Sequence, residues 1–157
     1  MSYNLLMQTL KETFESISLV STVTTGNETE VDIYKKNLFP LVHIDVVDYL
    51  QATINNTSMV TYNVVITSLD IRDVNKEEDR DKFWSNDNRH DNWNTTAYIL
   101  RTGELKMIKE IYGDNISLLS TGNSERLEVV RENRLDGWTQ TWTISVPDIY
   151  VKACDED

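Results

Sequence analysis

Residues 41–71 read LVHIDVVDYLQATINNTSMVTYNVVITSLDI, and the alternation in this stretch decides the fold. In Leu41–Tyr49, Val42, Ile44 and Val46 fall on one face and His43 and Asp45 on the other. In Met59–Ile71, Val60, Tyr62, Val64 and Ile66 share a face. Thr61, Asn63 and Thr67 lie opposite, where Val65, Leu69 and Ile71 add apolar weight. A period of two belongs to a strand, whose successive side chains point to opposite faces. It also pins the register, because a slip of one residue would bury the polar face. The two runs predict a long central hairpin. At ~3.3 Å per residue the second run reaches roughly 40 Å, whereas a typical strand has about five or six residues. The excess length predicts an arm beyond the body, with the polar segment Leu50–Ser58 joining the runs and Gln51–Ser58 at its tip.

Upstream, Leu6, Leu10, Phe14 and Ile17 recur at helical spacing and predict an amphipathic helix over Tyr3–Ile17, capped by Ser2 or Asn4. Ser18–Thr25 is rich in Val and Thr and suits a strand. Gly26-Asn27 offers a turn, Thr29–Tyr34 a return strand, and Phe39-Pro40 a break before the hairpin.

Downstream, Arg72–Asn92 mixes charge with Phe83-Trp84 and shows little periodicity, with room for a short helix over Asn75–Trp84. Phe83 and Trp84 either pin this loop to its own core or anchor a partner, since aromatics concentrate in interfaces. A second helix is predicted over Asp91–Tyr112. Trp93, Ala97, Leu100, Met107 and Ile111 lie near one face, Tyr98, Leu105, Ile108 and Tyr112 widen it, Asp91 or Asn92 caps it and Gly113 stops it. Gly103 weakens its middle. Strands follow at Ile116–Ser120, Arg126–Arg131 and Trp138–Val146, with turns at Thr121-Gly122-Asn123 and Asp136-Gly137. The last run alternates most clearly, Trp138, Gln140, Trp142, Ile144 and Val146 facing one way.

The expected fold is therefore α+β: a twisted, mainly antiparallel sheet with a long central hairpin, packed by two amphipathic helices. A length of 157 residues suits one domain, over 1–146, followed by an acidic tail at 147–157. Such a chain removes roughly 70% of its unfolded surface from water. The first residues lack the basic start of a signal peptide, and no run is long and apolar enough to span a bilayer.

Charge narrows the function classes. The net charge is −11 and Lys35-Lys36 is the densest basic pair. Sequence-specific nucleic-acid binding needs a basic patch that displaces counterions, so it is disfavoured. An acidic surface does suit a conduit that nucleic acid must pass without sticking. The single cysteine, Cys154, lies among Asp155, Glu156 and Asp157, which oppose thiolate formation.

Chemical motifs are sparse. His43 sits on a predicted strand and reads as structural. His90 lies near Asp87 and Asp91, but the spacing matches no zinc pattern. The acidic run Glu77, Glu78, Asp79, Asp81 lacks the glycine and closing glutamate of an EF-hand loop. No phosphate-binding glycine loop or nucleophile elbow occurs. No catalytic residue, metal or cofactor is expected.

The order of elements, with Asn37-Leu38-Phe39-Pro40-Leu41-Val42-His43-Ile44 leading into the hairpin and Asp91-Asn92-Trp93 opening the second helix, resembles the tail-completion or tail-terminator neck proteins of tailed bacteriophages. The Asn/Thr/Asp-rich, cysteine-poor style is similar to connector proteins of crAss-like phages. The resemblance covers Met1 to about Val146 and rests on arrangement. It implies a structural virion protein at the head–tail junction, assembled in the host cytoplasm as a sixfold or twelvefold ring. Its partners would be further copies, a portal or adaptor protein and tail-tube proteins, with double-stranded DNA passing the lumen unbound. No membrane is involved. The subunit or partner interface is expected at Gln51, Ile54, Asn55, Asn56 and Met59 on the outer hairpin, Phe83 and Trp84 in the loop, and Ile149 and Tyr150 in the tail. The competing reading is a small soluble enzyme, or a metal- or ligand-binding domain, that uses His43, His90 and nearby carboxylates.

Overall fold

The structure is a computed structural model that describes residues 2–26, 38–54, 57–72, 83–84, 88–110, 116–130 and 134–148. The predicted return strand at 29–34, Asn55 and Asn56, most of the helix expected over 75–84, residues 111–113, and the tail from 149 with Ile149, Tyr150 and Cys154 lie outside those residues. Helix α1 spans Ser2–Glu15 and strand β1 spans Thr22–Thr25. The hairpin is β2, Leu41–Ile54, and β3, Thr57–Ile71. Helix α2 spans Arg89–Glu110, and β4, β5 and β6 span Ser117–Thr121, Glu125–Val130 and Leu135–Pro147. Among the described residues no helix is long and apolar enough to cross a membrane.

The six strands form one open mixed sheet in the order β1-β2-β3-β6-β4, with β5 also paired to β6. Only β1–β2 is parallel; every other pairing is antiparallel. Both helices pack on one face, so the α+β expectation holds. The core between the layers joins Leu6, Leu10 and Phe14 of α1 to Val42, Ile44, Val64 and Ile66 of the hairpin. Ile99 and Leu100 of α2 and Trp142 and Ile144 of β6 complete it. A smaller cluster of Leu41, Leu69 and Leu135, with Phe39 and Leu127 against it, sits at one end of the opposite face.

Three expectations change. The segment Leu50–Ser58 is not a polar connector: the ladder continues through Leu50↔Thr61 and Thr53↔Ser58 to Ile54↔Thr57. Gln51, Thr53 and Ser58 are polar because they are solvated strand positions, and Gln51 Nε2 donates to Ser58 Oγ across the pair at 3.3 Å. Nor does the hairpin stand free as an arm. β6 pairs with β3 all the way from Ile71↔Leu135 to Met59↔Pro147, and the Asp148 amide donates to the Ser58 carbonyl.

Second, α2 buries Leu100 and Met107 as expected, but its buried face is shifted from the expected one. Its sheet-facing residues are Asn92, Thr96, Ile99, Leu100, Gly103 and Met107, while Ala97, Tyr98, Leu105 and Ile108 are exposed. The cause is Gly103. A Cβ there would lie 2.4 Å from Phe14 Cε1, so the missing side chain is the socket for the Phe14 ring. The helix also begins earlier than expected: the Asn92 amide donates to the Asn88 carbonyl, which puts Asn88 at the cap and Asp91 in the first turn. At the other helix, Ser2 is buried and its hydroxyl shares a 2.7 Å hydrogen bond with Tyr62 Oη.

Third, Asp136-Gly137 is not a turn. Both residues lie inside β6, and the left-handed turn residue is Arg134, at φ 53°. Glycine is required at 137 because a Cβ would sit 1.8 Å from the Ser68 carbonyl oxygen of β3.

Candidate functional site

Among the described residues, the hairpin exposes Val47, Tyr49, Leu50 and Ile71. β1 covers the outer side of β2 only from Leu41 to Ile44. From Asp45 to Ile54, no strand among the described residues pairs with that side. A β-bulge separates Val46↔Val64 from Asp48↔Asn63, leaving Val47 as the extra residue. The bulge shifts the alternation by one. Val42, Ile44 and Val46 face the helices, and beyond it Tyr49 and Gln51 take that face opposite Tyr62 and Val60. Tyr49 leans on the Tyr62 ring at 6.0 Å yet is 68% exposed, and Leu50 is 69% exposed. The other face is polar here. Thr143 Oγ1 donates to Asn63 Oδ1 at 2.9 Å, and Asn63 Nδ2 donates to Asp48 Oδ1 at 2.5 Å. This row ties Asp48 inward across three strands.

Of the residues expected at an interface here, Gln51 is exposed, Met59 is half-buried opposite Pro147, and Ile54 occupies the last ladder position. The sequence reading missed Val47, Tyr49 and Leu50. Their signal was a strand with an open side, and which side stays open depends on where β1 stops.

A second exposed group surrounds the start of α2. Phe83 is 72% exposed and Trp84 is largely exposed. Their rings meet at 5.0 Å and both contact His90, which meets Trp93 edge-on at 5.3 Å. His90 Nε2 donates to the Phe83 carbonyl at 3.1 Å. The Arg126 guanidinium lies 4.7 Å from the Trp93 ring centre. Trp93 is fixed by its own indole N–H donating to the Leu127 carbonyl, and its carbonyl accepts from Trp138. Phe83 and Trp84 therefore sit on the surface rather than in the core. This platform adjoins Ile71, whose carbonyl accepts from Asn92. It stands at the opposite end of β3 from the open edge of β2.

The histidines are not brought together as a centre. His43 is buried, with Nε2 donating to the Gly26 carbonyl at 3.0 Å and Nδ1 paired with the Thr24 hydroxyl at 2.8 Å. A carbonyl only accepts, so Nε2 holds the proton, and in the neutral ring Nδ1 accepts from Thr24. Both nitrogens are used in tying β1 to β2. Among the described residues, no group of three or more His, Cys, Asp or Glu side chains could hold a metal ion.

One buried charged network escaped the sequence reading. Asp136 is fully buried and takes a bidentate grip from Arg72, Nε to Oδ2 at 2.8 Å and Nη2 to Oδ1 at 2.7 Å. Arg72 Nη2 also lies 3.6 Å from Glu128, which approaches Arg89 at 3.9 Å. Asp70 faces Asp136 across the ladder. Burial raises the Asp70 carboxyl above its ordinary value, the Ile71 amide opposes that, and the Asp136 charge adds to it. The arrangement locks β3 to β6 beneath the platform. Comparison with family models and with curated protein sequences finds no match for the chain.

Proposed function

We propose that this chain is a structural protein that builds a ring from copies of itself, of the kind that joins head to tail in tailed bacteriophages. One observation carries the reading. The outer side of β2 runs open from Asp45 to Ile54 among the described residues, and Val47, Tyr49 and Leu50 are exposed along it. Soluble proteins usually blunt such edges with lysine, proline or a covering element. The segment has none of these side chains. A strand edge that offers backbone donors and acceptors together with apolar side chains is a pairing surface.

The architecture supports the same reading. Two helices on one face of a mainly antiparallel sheet, with a hairpin of 14- and 15-residue strands, is the arrangement expected from the resemblance to phage neck proteins. On this reading the neighbours are portal or adaptor and tail-tube proteins, at the virion head–tail junction. A net charge of −11 suits a lumen through which DNA passes without adhering. Multi-angle light scattering and negative-stain microscopy test the proposal, on the chain alone and mixed with portal and tail-tube proteins from the same genome. Closed sixfold or twelvefold rings are expected in at least one mixture. Monomers throughout would rule the reading out.

A further inference from the structure

Among the described residues, the outer half of the sheet has two open edges, and they lie at the same height. β4 is the last strand on the side away from β2. Following the pairings across one row, Ser117 of β4 faces Ser145, Ser145 faces Thr61, and Thr61 faces Leu50 of β2. Four residues further along β4, Thr121 faces Trp142, which faces Val64, which faces Val46. β4 therefore occupies the rows of Val46–Leu50, above the level where β1 covers β2 and β5 pairs with β6. In these rows β2, β3, β6 and β4 alternate in direction, so β4 runs antiparallel to β2.

That geometry has a consequence for a second copy. Rotation about an axis along the strands preserves strand direction. It brings β4 of one copy beside β2 of the next as an antiparallel pair, the better hydrogen-bonded kind. We infer that the open edge of β2 is the docking site for β4 of a neighbouring copy, head to tail, so that one sheet continues from subunit to subunit. The inference rests on the self-assembly reading above and adds the surfaces through which it occurs.

Three observations favour this occupant over a bland alternative. Each edge carries a bulge, at Val47 and at Leu119, and a bulge by itself commonly protects an edge. Here both bulged residues expose an aliphatic side chain, and β4 (Ser117–Thr121) bears no charge at all. Asp48, a charge that could guard β2, is instead held by Asn63. The flanks of the body are also unlike each other. On the β4 side, Thr121 Oγ1 donates to Glu104 of α2 at 3.3 Å, and α2 exposes Tyr98, Leu105 and Ile108 on its surface. Beside β1, a cleft of about 430 Å³ opens between α1 and β1, lined by Met7, Val23 and Ile44 together with the polar Asn4, Gln8 and Lys11. Unlike sides suit a heterologous contact, the kind that closes into rings.

Cysteine cross-linking of the full chain tests this. In a Cys154→Ser background, Leu50→Cys is combined in turn with Ser117→Cys, Leu119→Cys and Thr121→Cys. The three positions allow for stagger, since a cross-strand pair brings Cα atoms within disulfide reach. Oxidation is expected to give a ladder of dimer, trimer and larger species on a non-reducing gel for at least one double variant, and no ladder for any single variant. Covalent dimers from Leu50→Cys alone would mean that β2 pairs with β2 about a twofold axis, and would overturn the inference. Oligomers in light scattering with no cross-link from any pair would overturn it too, while leaving self-assembly through another surface intact. A chain that stays monomeric in light scattering, alone and with the portal and tail-tube proteins, also refutes it. As a check independent of disulfides, Leu119→Lys and Tyr49→Lys are each expected to shift the oligomer to monomer, with the circular dichroism spectrum unchanged. Retention of the oligomer by both would again refute it.

Discussion

The two halves of the β2–β3 hairpin are built from similar sequence and meet different surroundings. In the Ile44↔Ile66 row, β1 closes the outer side and both side chains are fully buried under the helices. Six residues along β2, the Leu50↔Thr61 row has β6 on one side, and Leu50 is exposed on the other. Alternation alone makes both halves strands. Which half becomes core is settled by what covers it, because apolar side chains stabilise only in proportion to the area they remove from water. The inner half of β2 thus anchors the fold, while beyond the bulge Val47, Tyr49 and Leu50 of β2 are left with chemistry that a partner can use.

The contrast can be broken at the inner end first, where the largest effect is expected. Arg72→Ala leaves the fully buried Asp136 without its bidentate partner and should cost about 3–5 kcal/mol. Urea unfolding followed by tryptophan fluorescence measures it. Replacing the pair together, Arg72→Met with Asp136→Leu, should recover most of the loss, since removing both charges removes the desolvation problem. A double variant as unstable as the single one would mean that the network does more than balance its own charges.

The two rows themselves give the next test. Ile66→Ala empties a buried site and should cost about 2–5 kcal/mol. Leu50→Ala, at an exposed position, should stay within about 0.5 kcal/mol in the monomer. Equal costs would erase the distinction between inner core and outer surface.

Much of the core was legible from residues alone. Val42, Ile44, Val60, Tyr62, Val64 and Ile66 face the core as their period of two requires, and so do Trp142, Ile144 and Val146. Leu6, Leu10 and Phe14 do the same at helical spacing. What escaped depended on neighbours distant in the chain. The bulge at Val47 changes which residues face the helices beyond it, and no local pattern marks it. The phase of α2 was ambiguous because apolar residues lie on both of its sides, and the choice is made by Phe14 entering at Gly103. Asp136-Gly137 has the composition of a turn, yet Gly137 serves the close approach of Ser68 and Asp136 serves Arg72. Phe83 and Trp84 are exposed, which no local pattern in the sequence shows.

Gly103 offers a smaller effect with an unusual sign. Helix propensity alone favours Gly→Ala by about 1 kcal/mol. Here the new Cβ meets the Phe14 ring, so overpacking of about 1–3 kcal/mol opposes it and Gly103→Ala should lower the melting temperature. Adding Phe14→Leu, which withdraws the ring, should make the same alanine neutral or stabilising. If Gly103→Ala stabilises the otherwise unchanged chain, Phe14 does not set the phase of α2.

The smallest effect concerns Asp70 and depends on pH. Its carboxyl is raised above the ordinary 3.8, chiefly by burial, with Asp136 adding to the rise. A raised value means that the folded state favours the neutral acid. The stability linked to that proton is fully present below pH 3.8 and is lost as pH rises through the folded-state value. In the Asp70→Asn variant the side-chain amide stays neutral throughout, and its oxygen can still accept from the Ile71 amide, a bond of 2.8 Å in the parent. The variant should therefore melt higher than the parent at pH 7, and the gap should close as pH falls below 3.8. Asp70 is only half-buried, so solvent screening keeps the gain below about 1 kcal/mol. Melting curves of both proteins at neutral and acid pH decide it. A gap that persists unchanged into acid would place its origin in packing rather than charge. A parent that melts higher at pH 7 would show that the Asp70 charge is welcome at the inner end of the hairpin, where the buried carboxylate of Asp136 argues that it is not.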